Sequence, residues 1–365
     1  MTIWKLIRLN FGRNVAHFGE LGIGMEETSE RVRSDTLFSA WVSTYARLFG
    51  KPAVESLLQQ FLDARQPPPF RLSSTFLYRS VNGQYTYYLP RLLEPPRHHP
   101  TDNDLAFAKT LKRLHYLPLT VWQRWYQGTG FSDGDRHDLI NKTAGEAGGE
   151  LEAAGAFNYS TAFAIAQVPK IAVDRTTRAT NLYHTGFVQF QLEAAPTGIN
   201  HAGLYCLLQF AKVNPLLEAD LEAALHLLGE EGLGGERSSG AGRFQVEWLD
   251  LAQVDDRWQQ VVNFAPPTLQ KQYSLISLFW DHPPTVNALL TDTTRYTIQE
   301  RGGWIASPFS GRQLRRKAVS MFAEGSVFSE APIGQLADVT PDGFRTHKIY
   351  RSGISLSLPI HKQSA

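Results

Sequence analysis

The sequence predicts an α+β protein, and two observations carry that prediction. Short runs of alternating apolar residues recur in both halves of the chain, and between them lie apolar stripes at helical spacing. The 365 residues are 42% hydrophobic and 19% charged, a globular composition. The chain exceeds the roughly 100 to 200 residues of one domain, so two domains are expected.

The elements follow in order. Ile3, Lys5, Ile7, Leu9 and Phe11 alternate with Trp4, Leu6, Arg8 and Asn10 as a first strand. A loop over 17–30 leads to Ser34 and Asp35, placed to cap a helix whose apolar residues fall at Leu37, Phe38, Trp41, Val42, Tyr45, Leu48 and Phe49 and which stops at Gly50 and Pro52. A second helical run spans Val54 to Leu62. Phe70 to Leu89 reads as a hairpin about Asn82-Gly83. A helix is expected from Asp102 to Leu117, and the Gly- and Ala-rich stretch Gly128 to Gly155 reads as a mobile surface insertion. Strands are expected over 165–173, 187–192 and 203–210. A leucine helix then runs from Leu216 to Leu228 and stops at Gly229, and Phe244 to Leu249 forms a further strand.

Pro266-Pro267 marks the expected boundary between domains at about 1–265 and 266–365, with an insertion near 95–160 in the first. Beyond it, strands are expected at 273–280, 304–306, 318–322 and 349–358, giving a second domain that is mostly sheet. The sequence carries no repeat of fixed period.

Charge narrows the function. Lys plus Arg number 36 against 35 Asp plus Glu, so any nucleic-acid site must be a local patch. Cys206 stands alone, which excludes an internal disulfide framework and a zinc ribbon and fits a reducing interior. The N-terminus is broken by Lys5, Arg8 and Arg13, and no apolar run approaches a membrane span, so a cytoplasmic location with no membrane partner is expected.

The most specific feature is the cluster from Gly232 to Arg243, lying between a helix and a strand. Glycines admit backbone N–H groups close to a phosphate, and Arg237 and Arg243 can add charge-assisted bonds. No Lys-Ser or Lys-Thr follows, so it is not a Walker loop, and its helix-to-strand order excludes a dinucleotide fingerprint. A tight turn packed against its neighbours is the competing reading. Two arginines and two serines among the glycines favour RNA.

Five ordered segments together resemble the RAMP superfamily of CRISPR proteins, and more narrowly subunit four of the type III-A (Csm) interference complex. They are Asn14 to Gly19 at the end of the first strand, Ser34 to Ala40, Val173 to Thr176 with Leu182-Tyr183, the glycine loop, and Gly325 to Phe328. Residues of about 95–160 carry no part of this resemblance. It implies two ferredoxin-like (RRM-like) domains and a non-catalytic subunit without cofactor or metal. Such a subunit caps the 5′ handle of the crRNA and docks on the large signature subunit and a backbone RAMP subunit.

The candidate RNA contacts are His17, Ser34, Arg175 and Arg178, with Gly234, Gly235, Arg237, Ser238, Ser239, Gly240 and Arg243 in the glycine loop. Phosphates are expected on the amides of Gly234, Gly235 and Gly240. His17 has three open readings: a general base in a metal-independent endoribonuclease acting on repeat RNA, an RNA contact, or a structural residue. Arg175 and Arg178 flank a Thr pair between strands, and Asp174 beside them could instead order that turn through an ion pair.

Residues 301–317 hold Arg301, Arg312, Arg315, Arg316 and Lys317 with no acid, a second basic run suited to RNA or to a solvated strand edge. Residues 211–260 hold ten acids against four bases, so phosphate contact there is confined to the glycine loop. Asp133, Asp135 and Asp138 lack the closing Glu of a calcium loop, and His137-Asp138 and His98-His99 lack further ligands for a metal.

Overall fold

The computed structural model describes residues 2–20, 24–100, 105–146, 148–196, 198–267, 271–305 and 314–362. The chain opens with β1 (Ile3–Asn10) and passes to α1 (Ser34–Leu62). Arg33 is the N-cap residue of α1 and no side chain caps it. Ser34 and Asp35 instead turn their side chains away, toward the C-terminal portion. Gly50, at φ 83° and ψ 176°, is not helical, so the first helical run breaks there as expected and the second meets it across a kink within α1. Pro52 falls in the first turn after the kink, where a missing N–H costs little.

Next come β2 (Phe70–Leu72), β3 (Phe76–Val81) and β4 (Gln84–Pro90). Asn82 and Gly83 both take positive φ, 51° and 78°, in the tight turn expected between β3 and β4. The following region is helical: α2 (Leu105–Arg113), the short β5 (Tyr116–Pro118), α3 (Leu119–Gln127), α4 (Asp133–Ala144) and α5 (Glu150–Ala153).

The expectation of a mobile insertion over Gly128 to Gly155 is corrected here. Ser132 and Asp135 close a capping box at the start of α4, and Gly145 ends it at φ 84°. Leu139 and Leu151 are fully buried. Asp135 also accepts hydrogen bonds from Trp125 Nε1 (3.0 Å) and Arg124, and Asp138 accepts from the Leu151 amide (3.0 Å), so both acids hold the helices together.

Then follow β6 (Phe163–Val173), β7 (Thr180–Phe190), β8 (Leu192–Ala195), β9 (Gly198–Phe210), α6 (Pro215–Glu231) and β10 (Gln245–Asp250). Asn214 caps α6, with Pro215 in its first turn. The helix does not stop at Gly229. That residue lies inside it, where a Cβ would come within 2.4 Å of the Phe244 carbonyl oxygen. Two short helices, α7 (Leu251–Val254) and α8 (Asp256–Val262), lead to Pro266-Pro267.

The C-terminal portion holds β11 (Lys271–Leu275), α9 (Pro283–Leu289), β12 (Ile298–Arg301), β13 (Val319–Phe322), β14 (Val327–Phe328), β15 (Leu336–Asp338), β16 (Tyr350–Ser352) and β17 (Ser357–His361). Strands outnumber helices there, with α9 the one helix among the described residues, but most of the portion is irregular rather than the sheet expected. The run 349–358 is split between β16 and β17, and Trp304 makes a single bridge to Arg315.

One antiparallel sheet dominates, in the order β10-β1-β9-β3-β4-β5, with β2 and β8 also on β9. Alternation in β1 sends Ile7 and Leu9 to one face, opposite Cys206 and Leu204. That face packs on α1 and α6, where Trp41 Nε1 donates to the Leu221 carbonyl at 2.8 Å. Burial raises the Cys206 thiol far above its ordinary pKa, so it is an inert core residue.

The other face carries Leu6, Phe76, Tyr205 and Leu207, covered by Trp122 and Trp258 and by Ile276, Leu358 and Ile360 from beyond the proline pair. The two portions therefore share a core. In the described part of 266–365 the strands form one ladder of three, β14-β11-β17, and two ladders of two, β12-β13 and β15-β16.

Buried ion pairs also join the portions. Asp35 binds Arg301 (2.9 Å) and Arg351, and Glu324 binds Arg31 (3.2 Å) and Arg33 (2.5 Å).

Candidate nucleic-acid interface

At the end of β1 the chain turns at Gly12 (φ 55°) and threads residues Val15–Gly19 between the glycine loop and the base of the β6–β7 arm. Contacts alternate from side to side. Val15 accepts from the Gly242 amide (2.8 Å), Ala16 exchanges two bonds with Val188 (2.9 and 2.8 Å), and His17 accepts from the Gly235 amide (2.8 Å). The His17 ring turns back to the arm, with Nδ1 2.7 Å from the Gly186 carbonyl oxygen. A carbonyl only accepts, so Nδ1 carries the proton. His17 is 8% exposed, and its ring meets Phe187 edge-on. It is a strut that fixes three segments to one another.

Why this stretch needs glycine is visible atom by atom. A Cβ on Gly234 (φ 99°) would lie 2.3 Å from the His17 carbonyl oxygen, and one on Gly242 (φ 79°) 2.2 Å from that of Leu233. On Gly235 it would strike the His17 ring at 2.7 Å. The glycines serve close backbone approach and left-handed φ within the fold.

The expectation for the amides is corrected accordingly. The Gly235 N–H is held by His17, and the Gly240 N–H by the Arg237 carbonyl at 2.9 Å, so neither is open to a phosphate. The amides of Gly234, Arg237 and Ser238 have no hydrogen-bond partner among the described residues. Gly234, Arg237, Ser238, Ser239 and Arg243 lie on the solvent rim of the loop. Ser239 donates its hydroxyl to the Glu236 carbonyl (2.8 Å), shaping the turn of 3-10 helix at Arg237–Ser239.

Beside this rim stands the arm, paired from Phe163↔Phe190 to Val173↔Thr180. Lys170 and Glu236 form an ion pair that ties it to the glycine loop. At its tip Asp174 accepts from the amides of Thr176 (2.8 Å) and Thr177 (3.3 Å), which hold its carboxyl below the usual range. The tip is thus ordered by backbone bonds to Asp174 rather than by a pair with Arg175.

Arg178 takes φ 62°, and both Arg175 and Arg178 are exposed. They lie in the turn past Val173, which is itself roughly 10 Å beyond Lys170 at about 3.3 Å per residue. Ile171, Val173 and Leu182 share one exposed face of the arm near them.

The structure therefore gathers His17 and the glycine loop, and leaves Arg175 and Arg178 as a second patch. Ser34 belongs to neither. It is buried, its hydroxyl accepts from the Leu278 amide (2.9 Å), and its own amide donates to Ser74 Oγ (2.9 Å). Arg13 and Asn14 extend the rim: both are exposed, and Asn14 Nδ2 donates to the Arg243 carbonyl (3.2 Å). The signal for them was Gly12, which turns the end of β1 toward the loop.

The acids of 211–260 are largely committed to neighbours. Glu218 and Asp250 hold Lys5 (2.5 and 2.6 Å), Glu247 holds Arg8 (2.7 Å), and Glu231 pairs with Arg47. In the basic run, Arg301 is buried against Asp35 and Lys317 pairs with Asp342 (3.0 Å), while Arg312 lies outside the described residues. Among the described residues no three His, Cys, Asp or Glu side chains converge as metal ligands, and no helix is long and apolar enough to cross a membrane.

A family model, the CRISPR Csm4 C-terminal domain, matches residues 268–360, starting just past Pro266-Pro267. Curated proteins described as CRISPR system Cms protein Csm4 are similar over nearly the whole chain. That of Mycobacterium tuberculosis (strain ATCC 25618 / H37Rv) is 25% identical over 365 residues, 99% of each chain. That of Thermococcus onnurineus (strain NA1) is 25% identical over 336 residues, covering 90% of this chain and 91% of the relative. The protein of Methanocaldococcus jannaschii is 22% identical over 380 residues, 94% of each.

Among solved structures, a chain of the Csm3-Csm4 subcomplex in the type III-A CRISPR-Cas interference complex superposes with a TM-score of 0.61 at 17% identity, covering 98% of this chain and 99% of that one. A chain of the Csm1-Csm4 cassette in complex with pppApA gives 0.52 at 18%, covering 99% and 98%. At these identities the likeness is one of fold.

Proposed function

Because the chain is a Csm4-like RAMP protein, we propose that it is a non-catalytic, RNA-binding subunit of a type III-A CRISPR effector complex. It caps the 5′ handle of the crRNA in the cytoplasm and bridges the large signature subunit to the backbone RAMP subunits in antiviral defence. No metal or cofactor is required for that role.

The observation that carries the reading is the convergence of the β1 turn, the glycine loop and the arm base on one exposed rim. Arg13, Arg237 and Arg243 lie along it, and the open amides of Gly234, Arg237 and Ser238 lie within it. A polyanionic strand is the ligand that uses both kinds of donor. The order β1, α1, β3, β9, α6, β10, with strands arranged β10-β1-β9-β3, reads as a ferredoxin-like unit whose last helix and strand are joined by that loop. Chains of similar fold are found beside Csm3 and beside Csm1, which supports the bridging role.

The test is incubation of the pure protein with labelled repeat RNA in the presence of a chelator. A binder retards the RNA intact. A discrete product that disappears in His17→Ala would replace this reading with that of a metal-independent endoribonuclease. The buried, doubly anchored His17 supports the binder.

A further inference from the structure

The second basic run plays no part in the interface above, and it holds an arrangement that packing alone does not account for. Arg316 sits within the field of Arg301 and Arg351, with Asp35 the buried carboxylate among them. Asp35 is fully used. Arg301 takes both its oxygens, through Nε at 2.9 Å and Nη2 at 3.1 Å, and Arg351 shares Oδ2. Glu20 is 3.6 Å from Arg301 but already bound to Arg33 at 2.9 Å.

Arg316 is anchored by its backbone, its amide donating to the Gly303 carbonyl at 2.8 Å. Its side chain folds back over Gly303, where a Cβ would come within 3.0 Å of Nη2. The Nε atoms of Arg316 and Arg351 are buried with no hydrogen-bond partner among the described residues.

Burial first, and then the charges of Arg351 and Arg301, work against the Arg316 cation. Its pKa is pushed down to about 10. With Glu20 and Glu324 shared with Arg31 and Arg33, five guanidiniums meet three carboxylates, which leaves a surplus positive charge that an anion would complete. Next to them Trp304 is half exposed, with the Arg315 guanidinium 5.0 Å from its ring centroid.

We propose that Arg316, backed by Arg301 and Arg351, is a phosphate-binding site on the C-terminal portion. It takes a tetrahedral oxyanion, either free phosphate or a phosphodiester of a bound single strand, through the planar fork of a guanidinium. In its strand form the proposal rests on the RNA-binding reading above; in its free-phosphate form it stands without it.

The experiment uses the full chain, with thermal unfolding followed as inorganic phosphate is titrated against chloride of matched ionic strength. Wild type should rise in Tm saturably with phosphate. Arg316→Gln, which removes the crowded charge and keeps a donor, should unfold at or above the wild-type temperature in chloride and ignore phosphate. A second arm measures single-stranded RNA affinity against salt. There Arg316→Gln should lower the slope of log K by about 0.7 if the occupant is a strand phosphate.

A phosphate response lost in Arg316→Gln assigns the site whatever the fate of the glycine-loop interface. Loss of RNA slope alone assigns it to the strand. Absence of both effects overturns the proposal, as does a variant markedly less stable than wild type in chloride, since that would mark Arg316 as structural.

Discussion

Asp35 and Arg351, 316 positions apart in sequence, meet as a buried ion pair that joins the first turn of α1 to β16. Arg301 shares the same carboxylate. Removing one partner of such a group leaves uncompensated charge in a dry joint, at a cost of about 3–5 kcal/mol. Asp35→Ala should therefore lower unfolding stability in urea by that amount. Asp35→Leu combined with Arg351→Met should recover part of it. Equal losses in the single and double variants would show that the pair does not bind the two portions.

A second joint sets the response to acid. Burial alone would raise the Glu324 carboxyl, but Arg31 and Arg33 outweigh it and hold it well below its ordinary value of 4.5. A carboxylate with a depressed folded pKa contributes fully above the unfolded value, and the contribution is lost as pH falls through the folded one. Denaturation midpoints should thus be level near neutrality and fall steadily below about pH 4.5. Glu324→Gln should be less stable at neutral pH and flatter below it. Parallel curves for the two proteins would remove Glu324 from the account.

How much of this is legible in the sequence depends on the range of the interaction. The Asn82-Gly83 hairpin, the leucine helix before the glycine loop and the strand after it are readable, because local turn chemistry and apolar periodicity set them. The helix α4 escapes such a reading although Ser132 and Asp135 are spaced as a capping box, because the acids there also have the look of a calcium loop. Ser34 and Asp35 have the chemistry of a helix cap, yet partners more than 200 residues away claim both side chains. In the glycine loop the residue types mark the crowding correctly, while the crowding agent, His17 and its carbonyl, is visible only in three dimensions.

Those glycines give graded expectations. Gly242→Ala places a Cβ 2.2 Å from the Leu233 carbonyl at φ 79°, whereas Gly240→Ala meets nothing within 4 Å and has only the strain of φ 88°. Left-handed strain costs a non-glycine residue roughly 1–2 kcal/mol. Gly240→Ala should lose about that much in urea denaturation. Gly242→Ala should lose clearly more, because backbone must move. Equal losses would mean that the loop is looser than its hydrogen bonds imply.

The roles of His17 as strut and as RNA contact can be separated by substitution. The His17→Asn side chain would present an amide N–H near the position of Nδ1 and keep the bond to the Gly186 carbonyl, which Ala cannot. A buried acceptor left unsatisfied costs about 1–3 kcal/mol. Stability should fall by about that much in His17→Ala and be largely restored in His17→Asn, with RNA affinity following stability in both. An Asn variant that restores the fold but not RNA affinity would show that the imidazole itself touches the strand.

The two cationic patches should behave independently. Arg237 and Arg243 lie on the glycine-loop rim, Arg175 and Arg178 at the arm tip, with the Lys170–Glu236 ion pair between them. Each phosphate contact on a single strand contributes about 0.7 to the slope of log K against log salt. Arg237→Ala with Arg243→Ala should lower that slope by about 1.4 if both meet phosphates. Sites farther apart than about 7–10 Å without shared partners add to within roughly 0.5 kcal/mol. The four-fold variant should therefore lose the sum of the two pairs' binding energies. A sum that fails by much more would mean that the strand bridges rim and tip as one contact. A slope unchanged by the rim pair would place the RNA elsewhere on the protein.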